Sequence, residues 1–117
     1  MEVSEDMLLK GDIIRVLSLG LGRLWLSELV MELDGFRASL GECGKISKEA
    51  VLIALDDLRE VGIVDCDDRL KSRLNGESVP DKLISLLNYP SVAAILKNDA
   101  RYSNYLSLRR NLIGSPL

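Results

Sequence analysis

The sequence predicts one mainly α-helical domain with a single small β-hairpin and further helices after it. Three observations carry that prediction. The segment that follows Ser47 repeats Val51, Ala54, Leu55 and Leu58 at helical spacing and stops at Gly62. Arg69, Lys71 and Arg73 alternate with Leu70, Ser72 and Leu74, a period of two that suits a strand. Aromatic residues are only 4% of the 117 residues, so the core is built from Leu, Ile, Val and Ala, which suits packed helices. A chain of this length forms one domain that buries roughly two-thirds of its unfolded surface.

The first helix is expected over Glu5 to Leu19, with Met7, Leu8, Ile13, Ile14, Val16 and Leu17 as a broad apolar stripe. Gly20-Leu21-Gly22 breaks it. Arg23 to Leu26 reads as a short strand. Ser27 then caps a second helix, Glu28 to Leu33, closed by Asp34-Gly35. Phe36 to Lys45 reads as a loop, with room for one turn of helix around Arg37 to Leu40. The third helix runs from Ser47 to Val61, with Ser47 as its cap and Ile46 stapled onto a later apolar residue. Ile63 to Cys66 and Arg69 to Leu74 are expected to pair as a hairpin around Asp67-Asp68.

Asn75-Gly76-Glu77 reads as a turn. Pro80 fits the first position of a fourth helix whose apolar face is Leu83, Ile84, Leu86 and Leu87. Tyr89-Pro90 interrupts it. Val92, Ala93, Ile95 and Leu96 form another short helix, and Ala100 to Ile113 a last one, ended by Gly114 and Pro116. Residues 1–78 are thus a core and residues 79–117 a helical extension within the same domain. No internal repeat interrupts this order.

Composition removes several function classes. Histidine is absent, and with it the commonest general base and the commonest zinc ligand. Cys43 and Cys66 are not in a C-x-x-C pair, so a zinc site would need carboxylates for its remaining ligands. Two reduced thiols are expected, and a Cys43–Cys66 disulfide is the alternative. Gly20-Leu21-Gly22 lacks the rest of a dinucleotide fingerprint, and no nucleophile stands beside an evident base. The expectation is a non-enzymatic protein with no cofactor and no metal. Glu2, Glu5 and Asp6 occupy the place of a secretory signal's basic region. Arg15, Arg23, Glu28 and Glu32 interrupt the most apolar stretch, which makes it too charged to span a bilayer. A cytoplasmic protein is expected.

Net charge is −3, unevenly spread. Residues 1–68 carry 7 Lys/Arg against 15 Asp/Glu, a net −8; residues 69–117 carry 8 against 3, a net +5. The asymmetry points to an electrostatic partner or to a dipolar surface without one.

The order of elements resembles the winged helix-turn-helix family over about residues 7 to 74. The most family-like piece is Ile46-Ser47 followed by Val51, Leu55, Leu58, Gly62, Ile63 and Val64. The resemblance implies that the third helix stands where a recognition helix would, and that the hairpin is the wing. It also implies a C-terminal helical addition of the kind through which small archaeal and bacterial regulators of this type often dimerise. The chain departs from the family at two points. Asp34 to Lys45 lengthen the connection between the two central helices. Leu52, Ile53, Asp56 and Asp57 stand where DNA readers carry polar or basic residues.

Leu52 and Ile53 are read as buried, at a dimer interface or beneath the loop or C-terminal helices; the other reading is an exposed strip for a partner. Asp56, Asp57 and Glu60 form a solvated face that would repel DNA, which carries one negative charge about every 1.7 Å. Asp65, Asp67 and Asp68 lack the glycine and terminal glutamate of a calcium loop and read as a charged turn. Arg69, Lys71 and Arg73, with Lys45 and Lys48 at the start of the third helix, are the candidate phosphate contacts; the alternative is that they pair with surplus carboxylates. Arg101, Arg109 and Arg110 with Tyr102 and Tyr105 form a second basic and aromatic cluster, expected to pack on the body or on a second subunit. The leading expectation is a module acting mainly through protein contacts, such as self-association, in a transcription- or chromosome-associated assembly. The alternative is a dimeric DNA-binding regulator that uses the basic wing.

Overall fold

The computed structural model describes residues 4–112. The described residues are of mixed type, with five helices and a three-stranded antiparallel sheet. Helix α1 spans Glu5–Leu19, and Ser4 caps it by accepting from the Met7 N–H at 3.2 Å. Leu9, Ile13, Val16 and Leu17 face inward, together with one carboxylate, Asp12. Leu21 and Gly22 both adopt positive φ, which turns the chain into strand β1, Arg23–Trp25.

Helix α2 runs over Leu26–Ser39 and passes through Gly35, four residues beyond the Asp34-Gly35 stop that the sequence predicts. Gly35 is exposed, and beyond it Phe36 is 1% exposed. Burial of that ring outweighs the roughly 1 kcal/mol cost of a glycine inside a helix. The cap also differs: the Trp25 N–H donates to Glu28 Oε1 at 3.3 Å, while Ser27 lies within the first turn.

The connection to α3 is tied down where the Ile46 N–H donates to Asp34 Oδ1 at 3.0 Å. Helix α3, Lys48–Glu60, has the predicted cap: Ser47 Oγ accepts from the Ala50 N–H at 3.1 Å. Its buried residues are the predicted Val51, Ala54, Leu55 and Leu58. Gly62 takes a φ of 79°, and the Ile63 N–H closes back onto the Leu58 carbonyl at 2.9 Å.

Strand β2 spans Val64–Ser72 and β3 spans Ser78–Leu86. The hairpin differs from the sequence expectation in two respects. Asp67 and Asp68 lie within β2, and the hairpin turns instead at 73–77, where the Arg73 N–H reaches the Glu77 carbonyl at 2.7 Å. The fourth helix expected from Pro80 is strand β3, with Ile84 and Leu86 on the core side opposite Cys66 and Val64. Pro80 is accommodated because β1 pairs only with Leu83 to Ser85, which leaves β3 flanked by β2 alone at that level. The sheet order is therefore β1-β3-β2. Two helices follow, α4 over Tyr89–Leu96 and α5 over Ala100–Leu112. The end predicted at Ile113, Gly114 and Pro116 lies outside the described residues. No helix of the described residues is long and apolar enough to cross a membrane.

Candidate interaction surfaces

The outer face of α3 is the first surface. Its buried stripe faces α1 and the sheet, which turns Glu49, Ile53, Asp56, Asp57 and Glu60 outward. The two aliphatics on which the sequence analysis focused part company. Leu52 is half-buried and packs against the core beside the hairpin, not beneath the C-terminal helices. Ile53 is 62% exposed, against the expectation that it is buried within the monomer. It looks onto a groove of about 630 Å³ floored by Leu8, Leu9, Ile46 and Ala50. Asp57 is joined to α1 by Lys10 at 3.1 Å, and Lys10 also holds Asp6 at 2.9 Å. Asp56 and Arg59 are 3.8 Å apart and both exposed, a separation at which the pair adds little.

The second surface lies where the start of α3 meets the hairpin. Lys48, Lys71 and Arg73 line one hollow of about 250 Å³, along with Ser27, Pro80 and Asp81. None of the three cations has a carboxylate within 4.0 Å among the described residues. The Asp81 carboxylate is occupied: it accepts from Ser27 Oγ at 2.6 Å and from the Lys82 N–H at 2.8 Å. Burial alone would raise its pKa, but these hydrogen bonds prevail and hold it below the usual carboxylate value. The Lys71 ammonium sits 5.9 Å from the centre of the Trp25 ring. The remaining predicted phosphate contacts are placed differently. Arg69 is held by Asp67 at 2.7 Å, and Lys45 stands on the groove beside α1. The structure therefore gathers three of the five candidate cations, and leaves Lys45 apart and Arg69 partnered.

The basic and aromatic cluster of α5 turns mostly inward. Tyr105 stacks on Phe36 with ring centres 4.7 Å apart, and Tyr102 is half-buried. Burial pushes the Tyr102 hydroxyl's pKa up. Arg101 lies over the Phe36 ring at 5.5 Å and donates to both Asp12 and Glu42. Arg109 and Arg110 are exposed.

The sequence reading missed the group at the centre of this arrangement. Asp12 is 0% exposed and accepts from Arg15 at 2.8 Å, Arg37 at 2.8 Å, and Arg101 at 2.8 and 2.9 Å. Asp99, Glu5 and Glu42 bind the other ends of those guanidinium groups. Burial acts to raise the pKa of Asp12, but hydrogen bonds from Arg101 and Arg37 overcome it and the carboxyl is held low. Glu42 is lowered by Arg101, and Asp99 by Arg15. A signal existed in the sequence: Asp12 shares the apolar face of α1 with Leu9 and Val16. A lone carboxylate there requires a buried cation.

Compared with known proteins, the chain matches no family model and no curated protein.

Cys43 is exposed and Cys66 half-buried, both as free thiols. Burial raises the pKa of Cys66, which keeps it a poor nucleophile. Among the described residues no group of three or more Cys, Asp or Glu side chains is placed to hold a metal ion.

Proposed function

We propose that this chain is a winged-helix module that works mainly through protein contacts, with self-association foremost, in a transcription- or chromosome-associated assembly. The fold reading is supported by the order helix, strand, helix, helix, hairpin, with β1 laid against the hairpin's second strand. The functional reading rests on one observation: the solvent face of α3 presents exposed Ile53 among Glu49, Asp56, Asp57 and Glu60. Such a face repels a phosphate backbone. An exposed aliphatic beside a groove suits a protein surface instead. Light scattering across a concentration series tests it. The wild-type chain is expected above its monomer mass of 12.9 kDa, and Ile53→Arg is expected at it. A wild-type chain that stays monomeric throughout would overturn self-association.

A second reading is favoured by the hollow of Lys48, Lys71 and Arg73. Lys48 at the N-terminus of α3, with Lys71 and Arg73 beside it on the hairpin and no carboxylate within 4.0 Å of any of the three among the described residues, suits a phosphate of duplex DNA. The protein would then grip the backbone by the hairpin and the first turn of α3, with the acidic part of that helix held away. Fluorescence anisotropy with mixed-sequence duplex at two salt concentrations tests this. Binding that weakens steeply with salt and with Lys48→Ala, Lys71→Ala and Arg73→Ala together supports it, and binding indifferent to both rejects it.

A further inference from the structure

The acidic face around Ile53 has a counterpart elsewhere on the same chain. On α4 and α5, Ile95 is 71% and Leu106 37% exposed. Lys97, Arg109 and Arg110 are exposed too, with no carboxylate within 4.0 Å among the described residues. Most other arginines of the molecule are committed: Arg15, Arg37 and Arg101 serve Asp12, and Arg69 serves Asp67. The negative charge of α3 is only partly offset, Asp57 by Lys10 at 3.1 Å and Asp56 by Arg59 at 3.8 Å, while Glu49 and Glu60 have no cation within 4.0 Å among the described residues; the unpaired positive charge of α4 and α5 lies on different elements. Each surface also carries exposed aliphatic side chains.

We propose that the α3 face around Ile53 binds helix α5 of a second copy of this chain. Leu106 and Ile95 of one copy cover Ile53 of the other, and Arg109 and Arg110 meet Asp56, Asp57 and Glu60. A twofold axis that sets each α3 face on the partner's α5 makes the contact twice and closes the assembly as a dimer. The charge pairs set register and partner choice, and the aliphatic contact supplies the non-directional attraction. This inference rests on the self-association reading, which it narrows to two named surfaces.

Charge exchange tests it. One variant carries Asp56→Lys with Asp57→Lys, the other Arg109→Glu with Arg110→Glu. All four side chains are exposed, and Asp57→Lys gives up only the surface pair with Lys10, so circular dichroism is expected to match the wild-type chain. Each variant alone faces like charge across the contact and is expected to scatter as a monomer. An equimolar mixture restores opposite charge in both contacts and is expected to recover the dimer mass. The milder pairs Asp56→Asn with Asp57→Asn, and Arg109→Gln with Arg110→Gln, are expected to weaken association about tenfold. A monomeric wild-type chain overturns self-association itself. A dimeric wild-type chain whose variants stay dimeric overturns only these surfaces, as does a mixture that fails to recombine.

Discussion

Asp12 and Arg101, 89 residues apart in the chain, meet through two parallel hydrogen bonds, Nε to Oδ1 at 2.8 Å and Nη2 to Oδ2 at 2.9 Å. That fork fixes α5 to the middle of α1. The same guanidinium reaches Glu42 at 2.6 and 2.8 Å, so it also ties the connection between α2 and α3 to α5. Arg37 Nη2 is buried without a hydrogen-bond partner among the described residues. What the polar centre supplies is orientation: a two-toothed contact allows one placement of α5, where apolar packing alone would tolerate several.

Asp12→Asn removes the charge that three guanidinium groups share. Losing one partner of a buried ionic cluster costs about 3–5 kcal/mol, and a loss near the lower end is expected because Glu5, Glu42 and Asp99 remain. Urea denaturation followed by circular dichroism measures it. A change below about 0.5 kcal/mol, the range of ordinary surface substitutions, would remove the cluster from any role in holding α5.

Arg101→Lys keeps the charge but replaces a planar fork with a point donor. A loss of about 1–3 kcal/mol is expected, with faster amide exchange in α5 than in α1. Equal exchange in the two helices would mean that Phe36 and Tyr105 alone anchor α5.

Acid should loosen the same cluster. Asp12, Glu42 and Asp99 all titrate below their ordinary values. Their stabilisation is complete above the unfolded values near about pH 4 and is lost as pH falls through the lower folded values. The urea midpoint is expected to stay level from neutral pH to about 5 and then to fall below about 4. Asp12→Asn should show a shallower fall. With no histidine in the chain, a drop beginning near pH 6 would contradict this account.

Much of the fold was legible because local chemistry and tertiary packing agree there. Ser47, the stripe from Val51 to Leu58, and Gly62 each do in three dimensions what their types favour locally. The failures are places where a distant partner decides. Gly35 looks like a stop, but Phe36 needs the next turn to reach the core. Leu83, Ile84 and Leu86 fit a helical stripe as well as a strand. Only the pairing of Ile84 with both Leu24 and Cys66 separates the two. The candidate surfaces were partly legible: Lys48, Lys71 and Arg73 converge, whereas the pairing of Arg69 with Asp67 depended on both lying in one strand. Ile53 could not be placed, because its helical spacing is compatible with either side of the buried stripe.

Gly22 is a position where an added methyl group should be costly. Its φ is 93°, and a Cβ would lie 3.1 Å from the Tyr89 ring. Gly22→Ala is expected to cost about 1–3 kcal/mol, read as a lower melting temperature. An unchanged melting temperature would mean that Tyr89 gives way freely.

Trp25 is the chain's single tryptophan, and Lys71 lies over its ring. If duplex DNA occupies the nearby hollow, Lys71 turns toward phosphate and the emission of Trp25 changes on titration. The triple variant of Lys48, Lys71 and Arg73 to alanine should lose that response. A response that survives in the variant would place any DNA contact elsewhere.

The hairpin has a consequence beyond binding. Strand β2 is paired on one side only, so a row of its backbone groups lies open to a strand from another molecule. Five of its nine residues, Asp65, Asp67, Asp68, Arg69 and Lys71, are charged. Such side chains discourage edge-to-edge pairing between molecules. Replacing them with threonine or valine should therefore give sheet-rich precipitate during expression, and the hairpin's charges guard the chain against indiscriminate strand addition whether or not they also meet a ligand.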